Sequence, residues 1–201
     1  MNIKHMQIRT RFETREADGR KVLAGYFVRF DDRYNVWPDF YETIDPHAFD
    51  ESLAGGDIRA LINHDTTLVL GRTKAGTLTL RADDVGIWGE IVINEDDTDA
   101  MNCYARVQRG DVDQCSIGFD YAPGFGFDYA PGEGAEELIT EADGTMHDIV
   151  RRAILYEVSV CTFPAYEGTS VEARERALAH SQHAQYLRWK NKAKEALNKW
   201  H

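Results

Sequence analysis

Nowhere do apolar residues run together for the roughly 18–20 positions that a membrane-spanning helix requires, and the first residues hold no secretion-signal core. Cysteine is scarce: Cys103, Cys115 and Cys161 are the only three, widely spaced, with no Cys-x-x-Cys pair and no Cys/His ligand spacing. Such thiols exclude a disulfide scaffold and suit a reducing compartment. The phosphate-binding loop, the Gly-x-Gly-x-x-Gly fingerprint and His-Glu-x-x-His are also missing, so neither a cofactor nor a metal is expected. Cations are outnumbered, 23 Lys and Arg against 34 Asp and Glu, and the net charge of −11 disfavours nucleic acid and anionic membranes as partners. The exception is the stretch 188–199, where Arg188, Lys190, Lys192, Lys194 and Lys199 face only Glu195. This basic tail reads as a solvated helix face, with a tether to an acidic partner segment as the alternative.

What is present is a chain of 201 residues with 43% hydrophobic and 28% charged residues, the balance of one soluble domain with a sizeable core. Alternation marks strands over 22–30, 57–64, 68–73, 77–81, 87–94, 114–121 and 153–161, the fourth and fifth joined as a hairpin. Asp45-Pro46 predicts a short helix that runs through Leu53 and stops at Gly55-Gly56. The acidic run 95–99 caps a second helix, with Ala100, Cys103, Tyr104 and Val107 at helical spacing and Gly110 as its stop. Residues 122–150, rich in Gly, Pro and acids, read as one long loop. GFDYAPG occurs twice, at 118–124 and 126–132, running from the end of the preceding strand into this region, which reads as a local duplication lengthening that loop. About seven strands with few helices between them predict a mainly β, α+β fold, a mostly antiparallel β-barrel surrounded by helices.

Three polar residues stand in or at the end of apolar strands: His64 in DIRALINHD, Ser116 in DQCSIGF and Glu157 in AILYEVSVCTF. Each has an ordinary reading, as a hydrogen-bonded structural histidine, a small strand residue, and a carboxylate paired with Arg151 or Arg152. Together they offer the base, nucleophile and orienting acid of serine acyl transfer. Strand parity puts Glu157 with Leu155, Ser159 and Cys161 on one face, and sets Ser116 and Cys115 on opposite faces. A cysteine hydrolase using Cys115 or Cys161 with His64 is the chemical rival, and Asp65 competes as the acid.

The segments LINHD, LGRT and GTLTLRADDVGIWGEIVI, followed by RGDVDQCSIGF and LYEVSVCTFPAYEGTSV, resemble the HK97-type prohead proteases of tailed bacteriophages. The resemblance covers roughly residues 8–175, and that family looks distantly related to the herpesvirus assembly proteases. It implies a protease β-barrel domain over 1–175 and a separate basic helical tail over 176–201. It implies Ser116 as nucleophile, His64 as general base and Glu157 as the acidic third member. It also implies a serine endopeptidase acting in the host bacterial cytoplasm, inside the assembling prohead. The implied substrates are the scaffold or delta segment of the major capsid protein and the enzyme itself, and a homo-oligomer is left open. Oxyanion donors are expected around residues 163–166 or near Arg151-Arg152. The alternative is a catalytically inactive assembly or scaffolding protein that keeps the fold.

Overall fold

The computed structural model describes residues 4–9, 12–17, 19–30, 32–122 and 134–162. In chain order the strands begin with β1 (Lys4–Arg9), β2 (Glu13–Ala17), β3 (Arg20–Arg29), β4 (Tyr34–Trp37) and β5 (Phe40–Ile44). After helix α1 (Asp50–Gly55) come β6 (Arg59–Ile62), β7 (Asp65–Arg72), β8 (Leu78–Ala82) and β9 (Gly86–Val92). Helix α2 (Thr98–Arg109) leads to β10 (Gln114–Tyr121), β11 (Glu136–Thr140), β12 (Met146–Val150) and β13 (Ala153–Cys161).

The mainly β, α+β class holds, but the barrel is not what these ladders make. Thirteen strands form three sheets, ordered β1-β10-β13-β6-β7, β11-β12-β5-β4 and β2-β3-β9-β8, and among the described residues no ladder closes any of them into a barrel. Pairing is mostly antiparallel, with β12 on β5 and β13 on β6 as the parallel exceptions. The extra strands are short pieces whose polarity does not alternate clearly, such as the hairpin β11–β12, of which only β11 has exposed residues. That hairpin also corrects the single long loop over 122–150. The second GFDYAPG copy and the basic tail over 176–201 lie outside the described residues, while the first copy begins inside β10.

Local sequence explains most elements. In α2 the Asp97 carboxylate accepts from the backbone N–H groups of Asp99 and Ala100, and Gly110 closes the helix at φ 84°. Its buried stripe is Ala100, Cys103, Tyr104 and Val107, as the spacing predicts. By contrast Asp45 caps a turn, its carboxylate accepting from His47 N at 2.9 Å, and α1 begins only at Asp50. Strand β3 departs from simple alternation because a bulge falls between Tyr26 and Val28. Phe27 is fully buried there, on the parity of the equally buried Leu23, while Tyr26 is half-buried and reaches Asp83.

The core is continuous beneath the three sheets. Leu23, Phe27, Phe49, Ile58, Ile87, Ile91, Ile117 and Phe119 are almost wholly buried in it. Phe49, just before α1, meets Phe119 of β10 edge to face at 5.7 Å, and Ser52 of α1 accepts from Leu155 N of β13 at 3.0 Å.

Strand β9 approaches β3 too closely for a side chain at its first residue. A Cβ on Gly86 would lie 1.8 Å from the Val28 carbonyl oxygen, which is backbone and cannot turn aside. Gly86→Ala is expected to cost about 3 kcal/mol or more through this overpacking. Urea denaturation of the purified variant measures it, and a loss below about 0.5 kcal/mol, the range of neutral surface changes, would contradict the close approach.

Candidate active site

The centre of the five-stranded sheet is the pair β10 and β13. Ser116 stands directly opposite Ser159, and Gly118 opposite Glu157. Directly opposed residues of an antiparallel pair share a face, so Ser116, Ser159 and Glu157 lie on one side of the sheet. Cys161 follows on that side by strand period.

His64 reaches the same face from a different direction. Sequence alternation makes it the last residue of a strand, but β6 ends at Ile62 and β7 starts at Asp65, leaving Asn63 and His64 as a two-residue hairpin loop. Both have positive φ, 49° and 61°, the pattern of a type I′ turn. Asn and His are among the non-glycine residues that tolerate this region best. The turn is pinned from β13: Asn63 N donates to Val160 O at 3.0 Å, and Thr162 N donates to Asn63 Oδ1 at 2.9 Å. The backbone N–H of His64 donates to Ser159 Oγ at 3.1 Å.

With the loop so held, His64 Nδ1 lies 2.7 Å from Glu157 Oε1. The Ser159 hydroxyl donates to the other carboxylate oxygen, Glu157 Oε2, at 2.6 Å. Glu157 and Ser159 are buried and the imidazole is 17% exposed, so these contacts lie in a largely water-free setting. A carboxylate at Nδ1 requires the proton on that nitrogen, which makes Nε2 the basic atom of the neutral ring. Nε2 lies 4.0 Å from Cys161 Sγ.

The structure thus joins two of the three expected residues directly and puts the third on the same face, one cross-strand step from the serine that braces them. The Ser116 hydroxyl is wholly buried and donates to the Met6 carbonyl oxygen on β1 at 2.8 Å. The competing assignments find other partners. Arg151 binds Asp45 and Glu137, and Arg152 approaches Glu51 at 3.9 Å. Asp65 turns back onto Thr67 N and Oγ1 at 2.8 and 2.6 Å, which hold its carboxyl below the usual range.

Burial and the nearby Glu157 carboxylate push the Cys161 thiol up to about 12, while burial lifts Cys115 well above its ordinary value. Neither is a thiolate near neutral pH. The backbone N–H groups of Arg151 and Arg152 both donate to Ala135 O, at 2.9 and 3.1 Å, so the expected oxyanion donors there are already engaged. The other expected donors, around 163–166, lie outside the described residues. No three His, Cys, Asp or Glu side chains converge as a metal site among the described residues.

Two participants escape sequence reasoning. Ser159 shares the face of Glu157 by parity, but serine in a strand carries no signal of its own. The Met6 carbonyl is backbone and has none at all.

A mainly β protein in which a buried carboxylate anchors an imidazole beside a strand serine has the architecture of a serine hydrolase. The chain belongs to the family described as Caudovirus prohead serine protease, which it matches over residues 7–184. Membership makes it a serine peptidase of phage capsid maturation, with capsid protein as its general substrate and the assembling prohead in the host cytoplasm as its workplace. No curated protein and no solved structure matches the chain. Among the described residues no helix is long and apolar enough to cross a membrane.

Ser159 is the brace of this arrangement, so its removal is measurable without any substrate. Ser159→Ala deletes the acceptor for His64 N and a donor to the buried carboxylate, and is expected to cost about 2 kcal/mol. Chemical denaturation reads this loss directly, and a variant as stable as the parent would show that the hydroxyl supports neither group.

Proposed function

We propose that Ser116, His64 and Glu157 form the catalytic triad of a serine endopeptidase. Its substrates are the scaffold or delta segment of the phage capsid protein and the enzyme's own chain. The observation that carries this reading is the 2.7 Å contact of His64 Nδ1 with the buried Glu157 carboxylate, on the face of the sheet that bears Ser116. A carboxylate at Nδ1 fixes the tautomer whose Nε2 can accept a proton, and it stabilises the imidazolium that results.

The steps balance as follows. Ser116 Oγ attacks the scissile carbonyl carbon while its proton passes to His64 Nε2. The tetrahedral intermediate collapses as the C–N bond breaks and Nε2 returns that proton to the leaving amine. Water then attacks the acyl-enzyme, giving its proton to Nε2, and the carboxyl product leaves as Ser116 regains its hydrogen. Backbone N–H donors to the oxyanion contribute about 3 kcal/mol each in such sites. The division into a protease domain over 1–175 and a basic tail over 176–201 belongs to the same reading, with the tail outside the chemistry.

Co-expression with the capsid protein tests the assignment. Ser116→Ala is expected to leave the chain folded while processing falls by about 10⁴-fold or more. Alkylating the thiols of the native protein is expected to leave processing intact, because thiols raised this far carry little thiolate. Undiminished processing by the variant would remove Ser116 from the mechanism, and loss on alkylation would favour the cysteine alternative. A parent chain that cleaves neither capsid protein nor itself would favour an inactive assembly protein that keeps the fold.

A further inference from the structure

We infer that β1 occupies the seat of the extended peptide substrate, so that the protein holds itself latent with its own N-terminal strand in place of a substrate strand. The inference rests on Ser116 being the nucleophile, and it adds how the substrate lies and what controls access to it.

The first observation is a proton count. A serine hydroxyl has one hydrogen, and in the described arrangement it is donated to Met6 O at 2.8 Å. The same hydrogen is not available to His64 Nε2, where general-base catalysis needs it. The second is access. Ser116 is 0% exposed, so in this arrangement no external peptide carbonyl reaches its Oγ.

The third observation is geometry. Strand β1 runs antiparallel to β10, with Gln7 opposite Ser116 and Met6 opposite Ile117. The side of β10 away from β1 is filled by β13, so the β1 side is the edge an added strand can take. The Met6 carbonyl oxygen lies 2.8 Å from Ser116 Oγ, so β1 sets a main-chain carbonyl beside the nucleophile. Met6 O therefore marks where a substrate carbonyl is presented, and the ladder marks the direction of the substrate chain. The substrate is an extended segment antiparallel to β10, bound through main-chain hydrogen bonds.

The fourth observation is that one ladder and the buried Met6 side chain hold β1. It is an edge strand that ladders with β10 alone, and β2 belongs to another sheet. Its release leaves every other ladder of the fold in place.

A redox lock tests this in the full-length chain. Ile8 stands directly opposite Cys115, and facing residues of an antiparallel pair have the Cα separation that a disulfide needs. Oxidised Ile8→Cys ties β1 down, and dithiothreitol frees it. The readout is the rate at which a fluorophosphonate labels Ser116. Labelling is expected to fall by about tenfold or more on oxidation and to recover on reduction, as for a competent state held in the minority.

A second variant lacking residues 1–11 is expected to label faster than the parent. A synthetic peptide of residues 1–11 added to it is expected to slow labelling again. Equal labelling of Ser116 in the oxidised, reduced and truncated chains would overturn the inference and leave the triad standing. Absence of labelling in every state, with the reduced variant folded, would overturn the serine assignment and this inference with it.

Discussion

The burial of the Glu157 carboxylate is the constraint from which the site follows. A charged group in the middle of a central strand costs several kcal/mol unless hydrogen bonds surround it, so its partners are not optional. His64 Nδ1 meets one oxygen and Ser159 Oγ the other. Ser159 also receives the backbone N–H of His64, which makes imidazole position and carboxylate solvation one problem with one solution. That solution requires β6 beside β13 in parallel register, Ser159 with Leu61 and Val160 with Ile62, so that the following turn falls over the right face. It also requires Asn63 and His64 to accept left-handed backbone, where a longer or looser turn would carry the ring away.

The same constraint separates what the sequence reveals from what it conceals. Strands β10 and β13 are legible to the residue because each is a bounded apolar run, flanked by polar or turn-forming residues. Helix α2 is legible because its N-cap, stripe and glycine stop agree. The parallel pairing of β13 with β6 is not legible, since no turn joins the two strands and nothing local fixes their register. Strands β4, β5, β11 and β12 are short, and their burial answers to neighbours far along the chain rather than to their own pattern.

For the site, residue types at strand positions single out Ser116, His64 and Glu157, yet parity misplaces His64 because a left-handed pair interrupts the period. Its neighbour Asp65, the competing acid, is set aside by its bonds to Thr67. Ser159 is invisible until the carboxylate it braces has a position. The Met6 carbonyl is invisible on principle, because every residue has one and only the ladder says which faces the serine.

That last point bears on why the proposed nucleophile lies on the next-to-outermost strand. An exposed edge of β10 would offer unpaired N–H and C=O groups to any extended chain, which is a hazard in a crowded assembly. Covering it with β1 removes the hazard and, on the proposed reading, silences Ser116 through the same contact, since the strand that fills the ladder also accepts the hydroxyl's hydrogen bond. The hydrogen bonds that would hold a substrate are those that hold β1, so an external peptide gains only the difference between the two. A segment of the same chain is always present at high effective concentration, whereas a substrate in dilute solution is not. Packing enzyme and capsid protein into one prohead raises the substrate's concentration toward that of the tethered strand. On the proposed reading, the exchange at β10 within that enclosure becomes a balanced competition, and confinement favours the state in which the Ser116 hydroxyl is free of Met6 O.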